Sequence, residues 1–396
     1  MIFNTWVFGV FAVVTFVLYW TVVPQRWKPA FLIVTGSIFY AYSVPAFLLL
    51  VLGLGIVTFF IGNAIAGTSD AKVRKRLLVA GVVSIAAVLV FFKYTKFVAT
   101  TVDEVARHHI LPIPTIVVPL AISFFTFEFV HVLVDVYLRK IERLDPLDFS
   151  VFTMFFPTLV AGPIKRYQSF APQVRRIVLP ASGDLALNLY RVILGLAKKT
   201  IVADSMNAFT GPLAAPDGAY GRLDYWVAVL AYTTKIYFDF SGYSDIAIGV
   251  AGLLGLRIPE NFDMPYRTRN ISEFWRRWHM SLSAWIRDYI FIPLGGSRGS
   301  PLVTVVNLLL AMAIAGLWHG AAWTFVLWGL WQGAGLIAHR TWGLVVVPRV
   351  AMLRNESRSI RFVSVATTFA FVAIGWILFA APSLGNAVVV FERLFV

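Results

Sequence analysis

Two short stretches hold the residues best suited to proton chemistry, Trp275-Arg276-Arg277-Trp278-His279 and Gly316-Leu317-Trp318-His319-Gly320. Each sets a histidine beside tryptophan, within sequence that is otherwise almost continuous hydrocarbon. An ionisable side chain at membrane depth is costly and ordinarily faces a cavity or a partner, so both histidines are functional candidates. A neutral imidazole, with an ordinary pKa of about 6.5, suits a general base at neutral pH. The expectation is that His319 accepts a proton and His279 assists. The bland alternative is a hydrogen-bonded core histidine at 319 and a satisfied interfacial one at 279.

The rest of the inventory narrows the reaction. The chain has no cysteine, which removes disulfides, thiolate metal sites and a cysteine nucleophile together. Two histidines without companion ligands make a poor metal site, so no metal is expected. Neither a Walker A lysine nor an HExxH pattern occurs, and Gly295-Gly296-Ser297-Arg298-Gly299 lacks the Lys-Ser/Thr ending of a phosphate loop, so it is read as a loop. One reaction needs only a base, a dry passage and hydrogen-bond donors: acyl transfer from a thioester to a hydroxyl. Tryptophan N–H groups, or backbone amides at the Gly316–Gly320 break, would serve the oxyanion. The glycines there are expected to leave room for a substrate.

These residues must be positioned by membrane helices. Of the 396 residues, 59% are hydrophobic, and the mean hydropathy is +0.77, the profile of a polytopic membrane protein. About ten or eleven hydrophobic segments can be counted at roughly 20 residues per span. Thr5 to Val23 lacks a basic leader and a small-residue cleavage site and reads as a retained span. The net charge of +14 sits in short loops between apolar runs, as the positive-inside rule predicts, and not on a nucleic-acid-binding strip. Basic clusters at Arg26 and Lys28, at Lys72 to Arg76, and at Arg139, Lys140 and Arg143 together predict an N-terminus outside.

Several segments depart from a plain span. Phe152 to Ile164, with two prolines and a glycine, is too short to cross and reads as re-entrant, or else as a buried loop. Leu185 to Met206 is a span or an interfacial helix, and Gly211 to Gly221 an exposed loop. Tyr225 to Leu256 carries Lys235, Asp239, Ser241 and Asp245 at its centre. These form either a Lys–Asp network holding a kinked hairpin or a direct contact to substrate. Glu273 to Leu294 reads as one interfacial helix capped by Ser272, with Trp278, Leu282, Trp285 and Tyr289 on one face and His279 bordering it. Pro301 to Ala338 is twice too long for one span and must break at Gly316–Gly320. Arg349, Arg354, Arg358 and Arg361 are expected in the cytoplasm, before a last span at Phe362 to Ala381. No internal repeat is visible.

The runs FFPTLVAGPIKRY (155–167), IYFDFSGYSDIAIG (236–249), PENFDMPY (259–266), FWRRWHMSLSAWIRDYIFIPLGG (274–296) and GLWHGAAWTFVLWG (316–329) resemble the membrane-bound O-acyltransferase family. They are most similar to its bacterial branch of alginate O-acetylating and teichoic-acid D-alanylating proteins. The resemblance implies one all-α membrane domain over 1–396, with a catalytic core at about 119–340 and a ring of helices around a thinned centre. An outside funnel would meet a cytoplasmic tunnel there. It implies His319 as catalytic histidine and His279 as the second one. Trp275, Arg276, Arg277, Trp278, Trp318, Asp239, Ser241 and Asn261 are expected to line the funnel or tunnel.

The implied donor is a thioester, acetyl-CoA or an acyl carrier protein bearing phosphopantetheine, with no permanently bound cofactor. Arg276, Arg277, Arg287 and Arg298 are placed to steer such an acidic donor. The implied acceptor is a hydroxyl of an extracytoplasmic polysaccharide or cell-envelope polymer, and the implied location is a bacterial cytoplasmic membrane. D-alanyl transfer remains an alternative, since only one clear span follows residue 362 and the chain is short for the alginate type. So does a non-catalytic conduit serving a separate periplasmic acyltransferase.

Overall fold

The computed structural model describes residue 1 and residues 3–111, 115–349 and 357–396, and every regular element among them is helical. Arg354 lies outside the described residues. Among the described residues four helical runs are long and apolar enough to cross a membrane: Pro45–Gly67, Ala71–Ala106, Pro301–His319 and Arg358–Ala380. Trp6–Thr21 is apolar but shorter. Side-chain caps start most of them. The hydroxyls of Thr5, Ser300 and Ser357 and the carboxylate of Asp70 accept from the first-turn amides of the helices that follow, satisfying N–H groups that have no partner inside a helix.

The residues form two compact units, Met1–Leu196 with Tyr243–Pro259, and Ala197–Gly242 with Glu260–Val396. The first has a phenylalanine-rich core, in which Phe129, Phe152 and Phe155 are fully buried. Helix Lys28–Ala41 lies against Pro146–Met154 at Gly36, where a Cβ would stand 1.7 Å from the Met154 carbonyl oxygen. The expected irregularity at Phe152–Ile164 is present: one helix ends at Met154, a single turn covers Phe156–Leu159, and no helix resumes until Tyr167.

That irregular backbone is held by one face of helix Ile122–Tyr137. Glu128 pairs with Lys165 at 2.5 Å, and the His131 ring accepts from the Tyr167 amide at 3.3 Å. Asp135 takes the Gln168 side-chain amide at 2.5 Å and Lys140 at 3.1 Å. The spacing 128, 131, 135 is i, i+3, i+7, so one helical stripe holds residues 165–168, where the chain leaves the irregular stretch.

The kinked hairpin expected over Tyr225–Leu256 is corrected. A single 32-residue helix runs from Arg222 to Leu253, because no proline interrupts its hydrogen-bond ladder and Gly242 alone does not break a helix. The expected Lys235–Asp network is corrected as well. Asp239 pairs with Lys199 at 2.6 Å within the second unit, and Asp245 with Arg191 at 2.9 Å within the first. The Lys235 ammonium lies 5.8 Å from the Tyr232 ring centre.

In the second unit the long apolar run divides where expected, into Pro301–His319 and Trp323–Val345. The glycines at the break have another use than the one expected. A Cβ on Gly316 would stand 2.1 Å from the Phe325 carbonyl oxygen, and one on Gly320 2.1 Å from the Phe325 ring. They admit the partner helix. Gly211–Gly221 opens with one helical turn that buries Pro212 and Leu213. After the last span comes an unanticipated helix, Leu384–Phe395, with Ala387, Val390 and Leu394 buried on one face.

Candidate active site

The segment around His279 folds differently from the single interfacial helix read from its periodicity. Helix Ile271–Arg277 ends at Trp278, and a second helix, Met280–Ile286, begins at once. His279 is the hinge, with φ 43° and ψ 55°, a left-handed conformation rare for a residue with a side chain. The cap of the first helix is Asn270, not Ser272: its side chain accepts from the Glu273 amide at 2.8 Å, while the Glu273 carboxylate accepts from the Arg269 amide at 3.0 Å. Strained backbone persists only where its surroundings over-determine it. Here Asn261 does so. Its carbonyl accepts from Met280 N at 2.9 Å, and its side-chain oxygen accepts from Ser281 N and Oγ at 3.2 and 2.8 Å.

The hinge turns the His279 ring inward. It is fully buried, and neither nitrogen has a hydrogen-bond partner among the described residues. The Phe240 ring stands edge-on to it at 4.5 Å and Trp318 lies at 5.8 Å. Burial, and then the neighbouring His319, push its pKa well below the ordinary histidine value, so the ring is neutral. His319 is the last residue of its helix. Its ring meets Trp318 at 4.8 Å, Phe379 at 5.1 Å and Trp328 at 5.2 Å.

The two histidine rings are 6.3 Å apart. The sequence puts His279 on an interfacial helix and His319 at the far end of a hairpin, toward the outside or at mid-depth; rings at this separation do not lie at opposite interfaces. A hydrocarbon core is about 30 Å thick, so rings this close share one depth.

The remaining candidates divide by what they touch. Trp275 is buried, 5.8 Å from Trp328, and its indole N–H has no partner among the described residues. Trp318 is buried against both histidines. Ser241 is buried with its hydroxyl likewise unpartnered. These lie with the histidines in the same unit. Trp278 is instead core, packed on Phe262 and Trp376 at 5.1 Å each. Arg277 pairs with Glu273 at 3.0 Å and Asp263 at 3.5 Å, Arg276 is exposed, and Asp239 is held by Lys199. Asn261 braces the hinge. Gly295–Gly299 has the letters of a nucleophile elbow, but a turn of π-helix leads into it where an elbow needs a strand, and Ser297 is exposed.

Trp328, Phe379, Phe240 and Gln332 belong to this neighbourhood and were not singled out by sequence. Trp328 is fully buried, and its N–H, like both side-chain polar atoms of Gln332, has no partner among the described residues. Gln332 was findable, as an amide one turn after Trp328 inside the apolar run that ends at Ala338. Phe379 carries no local signal. A neutral His279 ring 6.3 Å from His319, beside buried indole N–H groups and in an aromatic surround, suits removal of a proton from a weak acid and stabilisation of an oxyanion.

Comparison with known proteins agrees with this chemistry. The model of the membrane-bound O-acyltransferase family matches residues 31–380. A protein named "Probable alginate O-acetylase AlgI" from Pseudomonas aeruginosa is 37% identical over 377 residues, 94% of this chain and 70% of that one. A peptidoglycan O-acetyltransferase of Helicobacter pylori is 32% identical over 93% of this chain and 73% of its own length. A teichoic acid D-alanyltransferase of Bacillus subtilis is 28% identical over 66% of this chain and 68% of its own.

Proposed function

The chain belongs to the membrane-bound O-acyltransferase family, and from that premise we propose that it moves an acetyl group from a cytoplasmic thioester to a hydroxyl of an extracytoplasmic polysaccharide. The observation that carries the reading is the aromatic surround holding His319 6.3 Å from a neutral His279. His319 takes the hydroxyl proton as the oxygen attacks the thioester carbon. The oxyanion is met by indole N–H groups, with Trp328, 5.2 Å from the His319 ring, and Trp275, packed on Trp328, as candidates. The C–S bond then breaks and the proton passes to the leaving thiolate, leaving a free thiol and an O-acyl ester. His279 orients the acceptor or the base without changing charge.

In this reading the protein is one integral domain of a bacterial cytoplasmic membrane, its helices ringing a thinned centre entered by a funnel from outside and a tunnel from the cytoplasm. The donor is acetyl-CoA or a phosphopantetheine carrier, drawn in by Arg276 and Arg277. Relatives named for alginate and peptidoglycan O-acetylation support acetyl and a polysaccharide. The D-alanyltransferase relatives support a second reading, D-alanyl passed to a teichoic-acid-like polymer. The test is His319→Ala in proteoliposomes loaded with each donor. Loss of about 100-fold or more in rate, with the melting temperature retained, is expected. Undiminished acyl delivery by that variant would refute the base and favour a conduit.

A further inference from the structure

Outside the histidine site, the strongest concentration of charge in the second unit is a cleft of about 640 Å³ lined by Arg267, Arg269, Arg277, Arg358 and Arg361, with Glu273 as its one carboxylate. Glu273 is already engaged by Arg277 and by the Arg269 amide. Arg267, Arg358 and Arg361 have no carboxylate partner among the described residues. Scattered interfacial arginines need no explanation beyond the positive-inside rule. Several converging on one cleft leave a local positive excess that a polyanion would relieve. The guanidinium fork matches phosphate oxygens two at a time.

The surroundings of the cleft say which phosphate compound fits. Arg269 also lines a second groove of about 700 Å³ whose walls include Ile271, Ile360, Val363 and Phe371. Phe362 and Val363, on the first turns of Arg358–Ala380, are 74% and 60% exposed. That helix is a candidate span, so its first turn lies at headgroup level whichever way the chain is oriented. A basic cleft at that level, sharing the Arg269 wall with an apolar groove, has the two-part chemistry of a phospholipid. The exposed Phe362 and Val363 at the same level favour a lipid as the occupant.

We propose that this cleft is a binding site for an anionic glycerophospholipid, its phosphates on Arg267, Arg269, Arg358 and Arg361 and an acyl chain along Ile271, Val363 and Phe371. The headgroup then braces helix Ile271–Arg277, whose end sets the His279 hinge. Lipid composition thereby bears on the catalytic segment without any contact to the histidines.

The test uses the full chain in mixed micelles with cardiolipin or phosphatidylcholine, read by native mass spectrometry and melting temperature. Cardiolipin should be retained and should raise the melting temperature, and phosphatidylcholine should do neither. Arg358→Gln with Arg361→Gln, both exposed and so compatible with folding, should weaken cardiolipin binding about tenfold or more. Arg26→Gln with Arg393→Gln removes the same charge elsewhere and should change binding by less than about twofold. Equal loss in the two double variants would show diffuse attraction and overturn the site. So would Arg361-dependent binding of inorganic pyrophosphate without cardiolipin binding, which would assign the cleft to a soluble phosphate compound.

Discussion

The His279 and His319 rings stand 6.3 Å apart at an angle of 58°, one on a left-handed hinge between two short helices and the other on the last residue of a long one. Neighbours this close are coupled, so their substitutions should not add. His279→Gln alone should lower the rate by less than His319→Ala. The double variant should match His319→Ala within a factor of about two, because groups that act as one unit are not additive. Rates measured on all three in one proteoliposome preparation check this, and multiplicative losses would mean independent roles.

The depressed pKa of His279 predicts a pH effect on stability. Its folded-state value lies below the unfolded value of about 6.5, so the unfolded chain binds the extra proton and stability falls as pH drops through that region. The slope contributed by one such group is at most about 1.4 kcal/mol per pH unit. Wild-type protein should therefore lose more melting temperature between about pH 7.5 and pH 5.5 than His279→Gln. Parallel curves for the two proteins would show a ring that titrates normally.

The Glu128–Lys165 pair is almost wholly enclosed, with side chains 7% and 2% exposed. Removing one partner leaves a buried uncompensated charge, so Lys165→Met should cost about 3–5 kcal/mol. Glu128→Leu added to it should recover most of that loss. Denaturation in detergent measures both, and a double variant as unstable as the single one would mean that the charges serve something other than each other.

Gly316→Ala should prise the hairpin apart, since the new Cβ would sit 2.1 Å from the Phe325 backbone carbonyl. Overpacking of this kind costs about 1–3 kcal/mol or more. Gly9→Ala, where nothing lies within 4 Å, should be neutral or slightly stabilising. Thermal unfolding of the pair provides the comparison, and an unaffected Gly316→Ala would argue that the two helices can separate freely.

Sidedness can be read with single cysteines, since the chain has none of its own. Cysteine at Ala322, at the start of the helix after His319, should react with an impermeant thiol reagent from outside. Cysteine at the exposed Ser297 should react only from inside. Labelling of both from one side would overturn the proposed division between acceptor funnel and donor tunnel.

Sequence alone determined what depends on a few consecutive residues. A 38-residue apolar run must break somewhere, and the glycines around Trp318-His319 marked the place. The apolar run was bounded at Pro301, where the helix does begin, and the hydrocarbon content marked the membrane. Each of these follows from local backbone energetics or bulk transfer, which neighbouring residues decide among themselves. Periodicity misled at His279, because a regular aromatic face continues on paper through a backbone reversal that Asn261 enforces from outside the segment.

The tertiary structure decided everything that depends on which distant group arrives. Asp239 meets Lys199 and not Lys235, Lys165 meets Glu128, and Phe379 closes the surround of His319 from a helix sixty positions on. A buried charge or an aromatic edge is satisfied by proximity in space, and spacing along the chain does not encode that once the partners lie on different helices. The meeting of His279 and His319 is of the same kind: two motifs legible separately, whose chemistry exists only at the distance the fold gives them.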